Sequence, residues 1–178
     1  MTKEHQPVLL EEALTALKIK ADGTYVDLTF GRGGHSAEIL KRLGPQGRLM
    51  AMDRDPVAIR AAQSQSVFQD PRFSIERAPF STLYQKIEKR GWLTEVDGIL
   101  VDLGVSSPQL NEAERGFSFM RTGPLDMRMD PKAGIDAATW INEADETELS
   151  RVFRDYGEER FHRRIARAIV ADRVTCPF

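Results

Sequence analysis

Apolar positions along the chain recur with two different periods, and the switches between them mark the elements. After Pro7, which a first helical turn tolerates, Leu10, Ala13, Leu14 and Leu17 share one side of a 3.6-residue repeat and predict an amphipathic helix over residues 7–17. Asp22-Gly23 turns the chain into the strand formers Tyr25, Val26, Leu28 and Phe30, and this run ends in Gly31, Gly33 and Gly34. Ala37, Leu40 and Leu43 then predict a helix over residues 36–43, stopped by Gly44-Pro45. A second strand is predicted over residues 48–53. Asp55-Pro56 supplies an N-cap and a first-turn proline for a helix to about Gln65. A third strand follows over residues 73–76, then a helix capped by Ser81 that carries Leu83, Tyr84 and Ile87 up to Gly91. Residues 96–103 form the most continuous apolar run, as expected of a strand buried on both faces of a parallel sheet.

Strands alternating with helices at these spacings predict an α/β fold, a doubly wound parallel sheet with right-handed crossovers. The alternation stops after Gly104. Beyond it no strand is predicted, but Leu149, Val152, Phe153 and Tyr156 form one helical stripe and Phe161, Ile165, Ala168 and Ile169 another. The chain therefore divides into a nucleotide-binding part, residues 1–104, and a helical annex, residues 105–178, entered through a turn-rich segment over residues 106–134.

Composition narrows the partners little. With 41% hydrophobic and 29% charged residues the chain is neither disordered nor fibrous, and a net charge of -2 advertises no whole-chain affinity for nucleic acid. The single cysteine, Cys176, excludes an intramolecular disulfide and a cysteine zinc cage, and His5 and His162 have no ligand spacing, so no metal is expected. No signal core and no run of eighteen apolar residues occurs, which predicts a cytoplasmic protein that does not enter a membrane.

The chemistry concentrates where strands end. A strand, a glycine turn and a helix make half of a nucleotide-binding unit, and Asp53, roughly twenty residues beyond the glycines, stands where such folds place the acid that accepts both ribose hydroxyls. The dinucleotide fingerprint is incomplete, because Ser36 occupies the place of its third glycine. Asp27-x-Thr29-x-Gly31-x-Gly33 sits closer to the loop of S-adenosylmethionine (SAM) methyltransferases. There Asp27 either faces the cationic methionine end or caps backbone at the strand end, and the residues leave both open. Asp102, Ser106 and Ser107 follow the fourth strand at the ligand-binding edge of the sheet, as acceptors for a reacting group or as a capped turn.

Seven motifs carry a close resemblance. His5-x-Pro-Val-Leu-Leu10, Asp27-x-Thr-x-Gly-Arg-Gly-Gly-His-Ser36, Asp53-Arg-Asp-Pro56, Asp102-Leu-Gly-Val-Ser-Ser-Pro-Gln109, Arg115-Gly-Phe-Ser-Phe119, Gly123-Pro-Leu-Asp-Met-Arg-Met-Asp130 and Tyr156-Gly-Glu-Glu-Arg160 resemble the RsmH (MraW) family from His5 to about Val170. These are SAM-dependent methyltransferases acting on N4 of a cytidine in the decoding region of bacterial 16S ribosomal RNA. The resemblance implies a Rossmann-like methyltransferase fold, with SAM contacts from Gly33, Gly34, His35, Asp53, Phe80, Asp102 and Gln109. Asp102 is the first candidate for polarising the cytosine amine, with Ser106 beside it. The aromatic that many amino-methyltransferases stack on the base is absent from this edge.

Two segments suit an RNA partner, either free 16S ribosomal RNA or the small subunit. Phe117, Phe119, Arg121 and Arg128 mix aromatics and cations in a loop that is either a lid over a splayed base or a loop pinned to the core. Trp140 is a further stacking candidate. Between Arg151 and Arg173 seven arginines face four acids, giving either a phosphate-binding face or a solvated face of ion pairs. Two rival functions remain, a nicotinamide-dependent oxidoreductase and an RNA-binding or assembly module with a vestigial pocket. Family members are longer and methyltransferase sheets have seven strands. The four predicted here imply a fragment, a truncated product, or a sheet edge completed by a partner, including a second copy in a homodimer.

Overall fold

The computed structural model describes residues 7–178, so His5 lies outside the described residues. Two compact units divide the chain after Gly104. The first has the element order α1 (Leu10–Leu17), β1 (Thr24–Asp27), α2 (Gly34–Arg42), β2 (Arg48–Asp53), α3 (Pro56–Ser64), β3 (Phe73–Arg77), α4 (Leu83–Lys89) and β4 (Val96–Leu100). Its sheet is wholly parallel with the order β3-β2-β1-β4, so the chain winds outward from β1 in both directions, as expected for a Rossmann-like α/β fold.

The strand period of two sorts side chains into two cores. Tyr25, Leu49 and Ala51 join Leu14, Ile39, Leu40, Ala58 and Ala62 on the face covered by α1, α2 and α3. Val26, Met50 and Met52 join Leu83 and Ile87 of α4 on the other. Both central strands are thus buried on both faces, which is why Leu49 to Met52 of β2 read as an unbroken apolar run.

Three local expectations are corrected. The first helix starts at Leu10 rather than Pro7, because Leu9 is left-handed (φ 50°) and Pro7 lies against Gly34. Ser81 does not cap α4. A 3-10 turn, Phe80–Thr82, precedes that helix, and Thr82 takes the N-cap position without a side-chain bond. The fourth strand ends at Leu100 and lies at the sheet edge, not buried on both faces; Ile99, Val101 and Leu103 are exposed, Leu103 to 71%. Apolar sequence here marks a surface that this unit leaves uncovered.

The second unit, Val105–Phe178, is helical: α5 (Ser107–Asn111), α6 (Ala137–Glu143), α7 (Glu146–Asp155) and α8 (His162–Asp172). Asp136 and Asp145 cap α6 and α7 by accepting from the Thr139 and Glu148 amides, and Arg173 donates to the last carbonyls of α6, at Ile141 and Ala144, both at 2.6 Å. Helices α7 and α8 bury Leu149 and Ala166, and Ser150 Oγ lies 2.7 Å from His162 Nδ1. The buried face of α8 centres on Ala166 rather than on the predicted Phe161 and Ala168, both of which are exposed; Tyr156 is exposed as well. No described helix is long and apolar enough to cross a membrane.

Candidate functional site

Side chains stitch the carboxyl ends of the strands into one rim. Asp53, the last residue of β2, accepts the Gly31 amide on Oδ2 at 2.8 Å and the Asp55 amide on Oδ1 at 2.9 Å, while its own carbonyl accepts from Ala78 beyond β3. Half-burial pushes the Asp53 carboxyl above the usual carboxylate range, and the two amides oppose that shift. On the other side of β1, Thr29 Oγ1 accepts the Asp102 amide at 2.7 Å, and the Leu28 amide donates to Leu100. Asp102 thereby has its backbone anchored and its side chain exposed.

Beneath this rim Asp27 is 1% exposed. Its Oδ1 accepts the Thr29 amide at 3.1 Å and its Oδ2 the Ser36 hydroxyl at 2.6 Å. Of the two readings open in the sequence, the structure takes the backbone-capping one: Asp27 faces the turn and α2, not a ligand surface. Burial drives its carboxyl pKa upward, only partly offset by those two hydrogen bonds. The contact that the electrostatic case for a cationic ligand requires is therefore not made by Asp27. Ser36, the residue that interrupts the dinucleotide fingerprint, is fully buried and ties the first turn of α2 to the end of β1.

The glycines of the loop have distinct reasons to be there. Gly33 is left-handed (φ 81°) and rests on aromatic rings, where an added Cβ would lie 2.4 Å from Phe68 and 2.6 Å from Phe30. At Gly34 a Cβ would lie 2.2 Å from Pro7. His35 is only 7% exposed, and its Nε2 is 3.1 Å from the Val8 carbonyl oxygen. That oxygen can only accept, so Nε2 carries the proton and the ring is committed to the N-terminal segment.

Phe80 follows β3 at the same rim and is 49% exposed, unlike the core phenylalanines Phe30 and Phe68. Gly33, Gly34, His35, Asp53, Phe80 and Asp102 all belong to the first unit; Ser106 and Gln109 belong to the second. There Gln109 is buried and its Oε1 accepts the Ser106 amide at 2.8 Å, the reciprocal arm of a capping box that starts α5. The loop after α5 is pinned at its base by the buried Arg115, which donates to the Arg128 and Met129 carbonyls, while Phe119 at its tip is 94% exposed. Trp140 lies half-buried on α6.

Sequence reasoning missed Thr29 as a bridge between strands. A β-branched residue in an apolar run gives no signal of the bond its hydroxyl makes 73 positions away. Thr29→Val is expected to speed hydrogen exchange of the Asp102 amide about tenfold by NMR, the value of one lost hydrogen bond, with Thr29→Ser restoring protection. Equal exchange in all three proteins would remove Thr29 as the anchor.

Comparison with known proteins points the same way as the rim. The family model described as "MraW methylase family" matches residues 2–178. The protein called ribosomal RNA small subunit methyltransferase H in Coxiella burnetii (strain RSA 493 / Nine Mile phase I) is 57% identical over 173 residues, 97% of this chain and 56% of the relative. Its namesake in Hydrogenovibrio crunogenus is 58% identical over 165 residues, 93% of this chain and 52% of the relative. The chain spans about half the length of the curated relatives it matches. With a family match over nearly all its residues, and with a glycine turn, an acid at the end of β2 and a parallel sheet, the chain belongs to the MraW methylase family.

Proposed function

We propose that the rim of the first unit binds SAM and that the protein serves cytoplasmic methyl transfer to N4 of a cytidine in the decoding region of 16S ribosomal RNA. Asp53 is the observation that carries this reading. The Gly31 and Asp55 amides take one acceptor position on each oxygen and the Arg54 amide also favours the carboxylate, and because two carboxylate oxygens offer about four lone pairs, acceptor capacity remains there for ribose hydroxyl donors. The exposed Phe80 ring, two residues past the amide that Asp53 holds, offers an apolar face for adenine. The first-turn amides of α2 suit the carboxylate of the methionine moiety. Gly33, Gly34 and His35 then contribute through backbone, since the His35 ring is bonded to Val8.

When bound, SAM supplies a methyl group activated by its positive sulfonium. The protein aligns the acceptor amine and provides a place for the departing proton. Asp102 suits that role, because its amide is anchored by Thr29 and its carboxylate is exposed. A carboxylate accepting from the exocyclic N–H draws electron density back onto a nitrogen whose lone pair is otherwise delocalised into the ring. The family resemblance implies a catalytic role for Ser106 and a SAM contact from Gln109, both in the second unit, where Gln109 accepts the Ser106 amide.

Calorimetry on the chain is expected to detect SAM binding and no NADH binding, followed by transfer of a labelled methyl group to small ribosomal subunits. NADH binding without SAM binding would reverse the first assignment. SAM binding with RNA capture but no transfer would reduce the protein to a binding module.

A further inference from the structure

We propose that the arginine face of α8, in the second unit, is a binding surface for the phosphate backbone of single-stranded RNA, an inference that rests on the RNA substrate proposed above. Between Arg160 and Arg167 the chain carries four arginines and no acid. At 100° per residue Arg163, Arg164 and Arg167 share about a third of the helix circumference, opposite the buried side at Ile165, Ala166 and Ile169. All three arginines are exposed.

The arginines of α7 are neutralised locally: Arg151 pairs with Glu148 at 2.7 Å and Arg154 with Asp155 at 2.6 Å. Those of α8 differ. Among the described residues Arg160, Arg163 and Arg164 pair with no carboxylate, and Arg167 has only Glu146 at 3.7 Å with its side chain 77% exposed, a pair of little strength in water. Glu159, the nearest acid before the stripe, accepts the Phe161 amide at 2.7 Å.

Phe161 explains why the charges are held apart rather than collapsed onto acids. The Arg160 and Arg164 guanidiniums lie 4.4 and 4.7 Å from its ring centroid. A guanidinium held against an aromatic ring keeps its edge donors free, and being already ordered it loses less freedom when it meets a phosphate. Unpaired planar cations beside an aromatic favour a flexible single strand, whose phosphates can follow the helix, over a rigid duplex.

The test uses the intact chain and a fluorescein-labelled mixed-sequence RNA 12-mer, titrated at several salt concentrations. R163A/R164A/R167A is expected to weaken binding at low salt at least about tenfold and to lower the slope of log affinity against log salt by about 2, given about 0.7 per phosphate contact on single strands. The triple lysine variant is expected to keep the slope. An unchanged slope in the alanine variant, no binding by the wild type, or equal binding of anionic lipid vesicles would each overturn the proposal. Thermal midpoints of the variants are expected to stay within a few degrees of wild type, since none of the three side chains is buried. SAM calorimetry on the same samples separates the two ideas: loss of the salt slope with SAM binding intact assigns the arginines to RNA alone.

Discussion

Gly33→Ala is expected to cost about 3 kcal/mol of stability, well above the same change at Gly31. Two terms combine. A Cβ at positive φ costs about 1 kcal/mol, and forcing a methyl into a packed aromatic contact costs a further 1–3 kcal/mol. The second term is severe because the obstructing atoms are ring carbons of Phe68 and Phe30, whose centroids are 4.9 Å apart in an edge-to-face pair. Phe73 backs Phe68 at 4.8 Å, so the rings have little room to retreat. Gly31→Ala is the control. Its φ is also positive (56°), but nothing stands closer than 3.9 Å to the added carbon, so only the backbone term of about 1 kcal/mol applies. Urea titrations of the two variants check the ranking, and equal losses would show that the aromatic floor yields.

Asp53→Ala is expected to weaken SAM binding about 100-fold in calorimetry, the equivalent of losing two hydrogen bonds to a charged acceptor at about 1.5 kcal/mol each. The substitution also releases the Gly31 and Asp55 amides that now converge on the carboxylate. Asp53→Asn separates the effects, since its single carbonyl oxygen can keep one amide but cannot serve two hydroxyl donors. The pH dependence has a definite sign. Burial raises the Asp53 carboxyl above its ordinary value, and ribose hydroxyls are best accepted by the ionised form. Affinity should therefore be full above that raised value and fall as pH drops through it, at a higher pH than an ordinary aspartate would give. The Asp53→Asn variant should lack this dependence. SAM affinity unchanged in the alanine variant would take Asp53 out of the site.

Much of the first unit was legible because each signal is local. The Asp55-Pro56 cap of α3 and the limits of β2 depend on residues within one turn of each other. The helices α5 and α6 were not placed. The first is a five-residue helix inside a Ser/Pro turn and the second a seven-residue helix whose main signal is one capping aspartate, Asp136. Short helices carry too few turns for their period to emerge.

The sequence by itself determined the alternation of strands and helices, the position of the glycine turn and the acid at the end of β2, because periodicity and spacing fix element type and backbone direction locally. Only the tertiary structure decided what those residues touch. It set the strand order, turned Asp27 inward onto Ser36, tied Asp102 to Thr29, committed the His35 ring to Val8 and left Ile99 of the apolar β4 exposed. Each of these depends on a partner brought close by packing across the sheet or between segments, and spacing along one chain does not encode which neighbour fills the remaining dimension.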